Sequence, residues 1–427
     1  MTPAGQPSSP TSAQPSPPPC PRSVPQPSPP PAGQPSPLPT VRPNPFDPPA
    51  ELADYRDREP IRPLAYPDGH TGWLVTGHAL ARSVLADPRF SAGSELKRAP
   101  VARPGAEPFF GAPALPGWMV DLDPPAHTRV RRPLAGTFTA HRMKALRPRI
   151  EQLVDERLTA MAGSRPPADL VELFALPVTS LAICELLGVP YGERAEFQRD
   201  SALLFSLDAS ADEAARAMDR LDGFLRELTR SRRTGPGDDV LSMLVEDGTL
   251  STEEIAGAGV LLLTAGHETT ASSLALGTFA LLSHPDQLAA LKRDPGLADN
   301  AVEELLRYLT IFHFGVPRTP LEDVEIGGRL LRAGESVTVS LSAANRDPGQ
   351  FADPDRLDLS RRTAGHLAFG HGIHQCLGRN LARIEMRVAF PALFRRFPEL
   401  ALAVPPEEVP LATDMGFYGV HRLPVTW

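Results

Sequence analysis

The chain has 427 residues, 41% of them hydrophobic, which is enough for a large packed core. A formal net charge of −8 excludes a chain drawn as a whole to nucleic acid or to an acidic membrane surface. The three cysteines, Cys20, Cys184 and Cys376, make neither a disulfide framework nor a CxxC metal site, which fits a reducing compartment.

Residues 1–45 are rich in Pro, Ser and Gln and have almost nothing to bury, so a disordered tail with polyproline II character is expected there. Cys20 lies in it and has no assigned role. The start lacks the charged and apolar regions of a signal peptide, and no stretch approaches the ~20 apolar residues of a membrane span. A soluble, cytoplasmic protein is expected. From 46 to 427 the composition is globular.

Residues 72–90 begin strand-like and become an amphipathic helix ending at Asp87-Pro88. A loop follows at 91–118, with Phe109 and Phe110. His127 and Arg131 stand one turn apart on one face of a helix starting near Pro125. Helical spacing of apolar residues dominates 140–310, and Cys184 lies within such a run, as core.

Within that region, LLLTAGHETTASSLALG (261–277) is an apolar helix interrupted by Gly266, His267, Glu268, Thr269 and Thr270. A mid-helix glycine costs roughly 1 kcal/mol relative to alanine, and buried polar groups need partners. A helix selected for stability alone would avoid both. Thr269 follows Ala265 by four residues, so its hydroxyl reaches the Ala265 carbonyl and opens a polar notch toward whatever packs there. His267 reads as a residue beside the notch rather than a ligand. In EELLR (303–307), Glu304 and Arg307 share a helix face and can form an ion pair.

Arg318 follows in GVPRTP, after the phenylalanines of IFHFGV (311–316). Short β-like runs come next, VEIGGRLL and ESVTVSLSAANRD, and YGVHRLPVTW reads as a closing strand. The expected fold class is mainly α with a minor β part.

The loop AFGHGIHQCLGRNLARIE (368–385) runs into a helix. Its glycines permit tight bends and close approach to a flat partner. Free N–H groups at the helix start stabilise a thiolate at Cys376. Such a thiolate can hold an iron as a lone protein ligand, whereas zinc would need about four ligands.

FGHGIHQCLGRNLA closely resembles the haem-binding loop of the cytochromes P-450, F-G-x-G-x-H-x-C-x-G. AGHETT is similar to the A-G-x-[DE]-T-T signature of that family's central helix, and Glu304–Arg307 to its E-x-x-R helix. The resemblance runs from about residue 44 to 427. It implies that 46–427 form a haem-thiolate monooxygenase domain, with haem b (iron protoporphyrin IX) between a long central helix and the cysteine loop. Cys376 is then the axial iron ligand.

The implied cofactor-binding set is His127, Arg131, Ala265, Arg318, His374, Cys376 and Gly378. Of these, His127, Arg131, Arg318 and His374 are the partners of the two haem carboxylates. Glu268 and Thr269 are the implied catalytic pair for O2 binding and proton delivery. A third arginine joins Glu304 and Arg307 in the family, and Arg346 and Arg356 are both candidates.

Electrons are implied to come from NAD(P)H through a ferredoxin reductase and a ferredoxin. The ferredoxin would dock on a basic face built from Arg129, Arg131, Arg132, Arg142, Lys144, Arg147, Arg149, Arg379, Arg383 and Arg387.

The motifs and the chain ending are similar to soluble actinobacterial members that tailor polyketides, macrolides and other secondary metabolites. An apolar small-molecule substrate and a monomer are expected. Phe109, Phe110, Phe205, Phe312 and Phe314 are candidate substrate contacts. The competing readings are a haem-thiolate peroxygenase or isomerase without a reductase chain, and a non-catalytic haem sensor. Intact Glu268 and Thr269 argue against the first, and the polar notch against the second.

Overall fold

The helical periodicity takes shape in a computed structural model that describes residues 33–106 and 109–427; residues 1–32 of the expected tail lie outside the described residues. The amino-terminal part has α1 (Glu51–Arg58) and α2 (His78–Ala86) around a small sheet. Then come α3 (Ala126–Thr137), α4 (Ala140–Ala162), α5 (Leu176–Leu187), α6 (Arg194–Phe205), α7 (Ala211–Arg232) and α8 (Val240–Asp247). The long helix α9 (Thr252–Ser283) follows, then α10 (Pro285–Arg293), α11 (Ala298–Leu309), α12 (Leu341–Ala344) and α13 (Arg379–Arg396).

Local chemistry sets the ends. Ser251 and Glu254 form a reciprocal capping box that starts α9, and Ser210 and Glu213 do the same for α7. Gly188, at φ +71°, closes α5 in the left-handed conformation. Helix α9 has 32 residues, a length of about 48 Å. Most of its residues are buried on every side, as an all-round apolar helix requires. Helices α5, α6, α7, α8, α11 and α13 pack against it. Among the described residues, no helix is long and apolar enough to cross a membrane.

The minor β part is built from β1 (Ile61–Ala65), β2 (Thr71–Val75), β3 (Phe90–Ser91), β4 (Ala168–Asp169), β5 (Val316–Pro320), β6 (Val324–Ile326), β7 (Arg329–Leu331), β8 (Val337–Val339), β9 (Ala401–Leu402) and β10 (Pro424–Thr426). One sheet has the order β1-β2-β8-β5-β3. Strand β2 pairs in parallel with β8, Trp73 opposite Val337, and β5 pairs antiparallel with β8, Arg318 opposite Val337. This pairing brings Arg318 beside the cysteine loop. The closing strand β10 lies between β4 and β9.

The packed body starts before the expected boundary at residue 46. Leu38 is buried, and Ala65 donates its N–H to the Ser36 carbonyl (3.0 Å). The Arg42 guanidinium lies 3.7 Å above the Tyr418 ring, and the Tyr418 hydroxyl donates to the Pro45 carbonyl (2.8 Å). Prolines hold this stretch extended, which suits it to run along a strand and a ring face. Arg346 anchors its end by donating to Asp47 and to the Phe46 carbonyl (3.1 Å each).

Glu304 and Arg307 are fully buried and pair in bidentate fashion, Nε to Oε2 at 2.7 Å and Nη2 to Oε1 at 2.9 Å. The third arginine is Arg361, which donates to Glu304 Oε1 (3.1 Å), rather than Arg346 or Arg356. Arg346 is committed to the Tyr308 carbonyl, Asp47 and Asp355. Arg356 contributes its backbone carbonyl to Arg361 (3.0 Å).

The network continues into the cysteine loop. Arg307 donates to the Asn345 carbonyl (2.8 Å), and the Asn345 side-chain oxygen accepts from the Leu367 N–H (2.6 Å). The ion pair thus fixes the start of that loop.

Candidate active site

The loop 368–378 folds back on itself, with the Cys376 N–H donating to the Phe369 carbonyl (2.9 Å). Gly370 and Gly372 have φ of +68° and +74°, and a Cβ on Gly372 would collide with the Leu85 carbonyl of α2. The loop needs glycine there for both conformation and space. Gly378 is the N-cap of α13. Cys376 is exposed to the cavity, yet the protein packed around its thiol pushes it above its ordinary value, opposed by the N–H of Gly378, by Arg131 and Arg379, and by the Arg379 N–H. The helix start therefore offsets burial only in part, and a bound cation would complete the ionisation.

Cys376 opens onto a cavity of about 340 Å³. Ala368, Phe369, Leu377 and Gly378 share its wall, and Ala265, Gly266, Thr269, Thr270 and Ser273 of α9 line the other side. The Thr269 hydroxyl donates to the Ala265 carbonyl (2.7 Å), as the spacing predicts. Gly266 has a second reason: a Cβ there would stand 2.8 Å from Ile183 of α5, so glycine lets the two helices close up. Glu268 is not part of the cavity wall. Its Oε1 lies 3.4 Å from His267 Nε2.

One end of the cavity is cationic. Arg131, Arg318 and His374 line it, and His127 stands behind His374 with the rings 4.4 Å apart. Lys97 joins them; the aperiodic loop at 91–118 carried no sequence signal for it. Lys97 is buried and pairs with Asp121 at 2.5 Å. Arg131 donates to the Gln375 carbonyl and Arg318 to the Pro317 carbonyl (2.8 Å).

Both ring nitrogens of His127 and of His374 are buried without a hydrogen-bond partner among the described residues. Burial lowers Arg318 to about 10. His374 is lowered to about 2 by burial, then by Arg318, His127, Lys97 and Arg131. Orphaned donors and crowded like charges on one wall are costly unless an anion faces them. The set fits a flat group carrying two carboxylates at one edge, with a soft metal-binding sulfur at its centre.

The rest of the wall is mainly apolar, with Ile183, Leu261, Leu262, Phe312, Val316 and Phe417 among others. Of the five candidate phenylalanines, Phe312 lines it. Phe205 packs behind it on Phe417 (4.7 Å), and Phe417 packs on Phe312 (4.9 Å). Phe109 packs on Trp118 (5.4 Å) and Phe314 on His313 (3.6 Å). Phe417 was missed because it sits in the irregular stretch before the closing strand.

The expected basic face is partly neutralised. Arg383 is bidentate to Glu303 (2.7 and 2.8 Å), and Arg387 pairs with Asp299 (3.2 Å). Arg147 pairs with Glu151, Arg149 with Glu185, Arg142 with Asp238 and Arg129 with Glu254. Arg132, Lys144 and Arg379 have no carboxylate partner among the described residues.

A protein-family model described as Cytochrome P450 matches residues 296–422. Cytochrome P450 105C1 of Streptomyces sp is 51% identical over 383 residues, covering 90% of this chain and 96% of the relative. Cytochrome P450 monooxygenase PikC of Streptomyces venezuelae is 44% identical over 388 residues, covering 89% and 91%. The crystal structure of CYP105P1 in complex with filipin I superposes with a TM-score of 0.86 at 44% identity, covering 92% of this chain and 99% of that one.

Proposed function

The chain belongs to the cytochrome P450 family and is a P450 monooxygenase, and from that premise we propose how its residues do the work. Cys376 would hold the iron of haem b through its sulfur. His127, Arg131, Arg318 and His374 hold the two carboxylates, joined by Lys97. Ala265 and Gly378 line the cavity that would take it. Haem, when bound, supplies O2 activation with two electrons, one oxygen atom going into a C–H bond or alkene and the other leaving as water. The cationic wall with the unpartnered ring nitrogens of His127 and His374, on the same cavity as Cys376 and the Thr269 notch, is the observation that carries this reading.

The chain's own contribution is orientation, water exclusion and proton supply. The apolar wall of Leu261, Leu262, Phe312, Val316 and Phe417 takes an apolar small molecule and keeps bulk water out. The substrate class proposed is polyketide- or macrolide-like. Relatives support it: the structure of a relative with filipin I, and that of a mycinamicin VIII C21 methyl hydroxylase from Micromonospora griseorubida, 35% identical. Arg132, Lys144 and Arg379 form the docking patch for a small acidic ferredoxin, which receives electrons from NAD(P)H through its reductase. The enzyme acts as a cytoplasmic monomer.

Thr269 holds a hydroxyl at the notch, and Glu268 supplies the proton behind it. Thr269→Ala is therefore expected to keep haem content while product per NAD(P)H falls by roughly a hundredfold, with peroxide released instead. Product and peroxide counted against NAD(P)H consumed test this. Unchanged coupling would remove Thr269 from the proton path.

A further inference from the structure

Two buried polar atoms that the cofactor wall does not explain are His267 Nε2 on α9 and the Ser201 hydroxyl on the neighbouring α6. His267 has no exposed surface. Its Nδ1 lies 2.9 Å from the Leu263 carbonyl, which accepts and does not donate, so Nδ1 carries the hydrogen. In the neutral ring Nε2 is then a lone pair, buried and without a hydrogen-bond partner among the described residues. Glu268 Oε1 stands 3.4 Å from it. On α6, Phe197 sets its ring edge against His267 (5.4 Å). One turn further along α6, the Ser201 hydroxyl is also buried and unpartnered.

Two lone pairs facing each other at that distance repel. The contact is favourable when one proton lies between them, either as a neutral carboxyl donating to the imidazole or as imidazolium beside carboxylate. Other ionisable groups on α5 and α6 are engaged elsewhere, exposed or held neutral by burial. Asp200 of α6 pairs with Arg220 (2.7 Å) and Arg199 (3.6 Å), and Glu185 of α5 with Arg149 (3.0 Å). Arg194 stacks on Tyr191 (4.2 Å), Glu196 is exposed, and burial pushes the Cys184 thiol up to about 12.

We propose that His267 is a positioning residue for Glu268: its Nε2 holds the Glu268 carboxyl away from the cavity with one shared proton, which the carboxyl carries when it turns to the Thr269 notch. The inference rests on Glu268 being the proton supplier of the proposed reaction. His267 touches neither the cavity wall nor its contents; it acts through Glu268.

The test uses full-length holoenzyme labelled with 15N-histidine, in the diamagnetic ferrous carbon monoxide state. The chain has 11 histidines, and the signal absent from His267→Gln identifies the ring. The expected spectrum has protonated Nδ1 and an Nε2 that shifts when Glu268 is replaced by alanine. An Nε2 indifferent to Glu268→Ala overturns the proposal whatever the turnover.

A second arm measures product per NADPH with 7-ethoxycoumarin, a plant-type ferredoxin and its reductase. His267→Phe is expected to lower coupling by roughly tenfold, below the ~10²-fold or more of a group that itself meets the reacting atoms. It should also change the solvent deuterium isotope effect, and His267→Gln should recover part of the coupling. Coupling and isotope effect unchanged in both variants also overturn it. If Glu268→Gln and Thr269→Ala couple like the parent, the failure lies in the proton-supply reading itself. If they uncouple and the His267 variants do not, it lies in the role given to His267.

Discussion

Serine in place of Cys376 is expected to abolish turnover and the red-shifted reduced carbon monoxide band together. The substitution leaves the backbone intact: the residue-376 N–H still meets the Phe369 carbonyl, and the glycine turns at 370 and 372 are unchanged. What changes is the donor. A hydroxyl is harder and far less acidic than a thiol, and it gives an iron no thiolate charge. The cationic wall remains, so part of the haem should still load, which separates loss of ligation from loss of folding. Haem per chain, the carbon monoxide difference spectrum and product formation measure the three effects. Oxygenation by the serine variant at the parent rate would end the assignment of Cys376.

Glu304→Ala is expected to destabilise the protein by about 3–5 kcal/mol. Arg307 has no exposed surface and would lose its bidentate partner, leaving a buried charge uncompensated. Arg361 would lose the same carboxylate, and the backbone N–H of Asp358 would lose its acceptor. The damage should spread to the site, because Arg307 also holds the Asn345 carbonyl and Asn345 holds Leu367. Urea unfolding of the holoenzyme, with haem release followed on the same samples, is the measurement. Haem is expected to leave at lower denaturant than in the parent. An unchanged midpoint would show that the ion pair does not support the loop.

The parts of the site legible in the sequence are those that depend on local spacing. Thr269 and Ala265 are one helical turn apart, so their hydrogen bond follows from the period. Glu304 and Arg307 are three apart on one helix, and His127 and Arg131 four. Gly370 and Gly372, ahead of Cys376, sit where the chain takes positive φ. These positions depend on the fold mainly for their helix or turn to form.

What was not legible depends on segments distant in sequence. Arg361 reaches Glu304 from an irregular loop in which Arg356 had equal standing, and the carbonyls of Ala352, Asp353 and Arg356 decide between them by gripping the Arg361 guanidinium. Lys97 joins the cationic wall because its loop folds back to Asp121. Arg383 and Arg387 read as docking charges until α11 lays Glu303 and Asp299 against them. The amino-terminal proline stretch lacks a hydrophobic period, so its docking at Tyr418 and Arg346 left no pattern to read. Parallel pairing of β2 with β8, far apart in the chain, was equally silent.

The most direct measurement is the carbon monoxide difference spectrum of the dithionite-reduced protein. A strongly red-shifted Soret band, lost in Cys376→Ser, is the predicted result and establishes a thiolate-ligated haem at this loop. A histidine-type band, or no haem spectrum after reconstitution, would contradict the assignment on which the site is built.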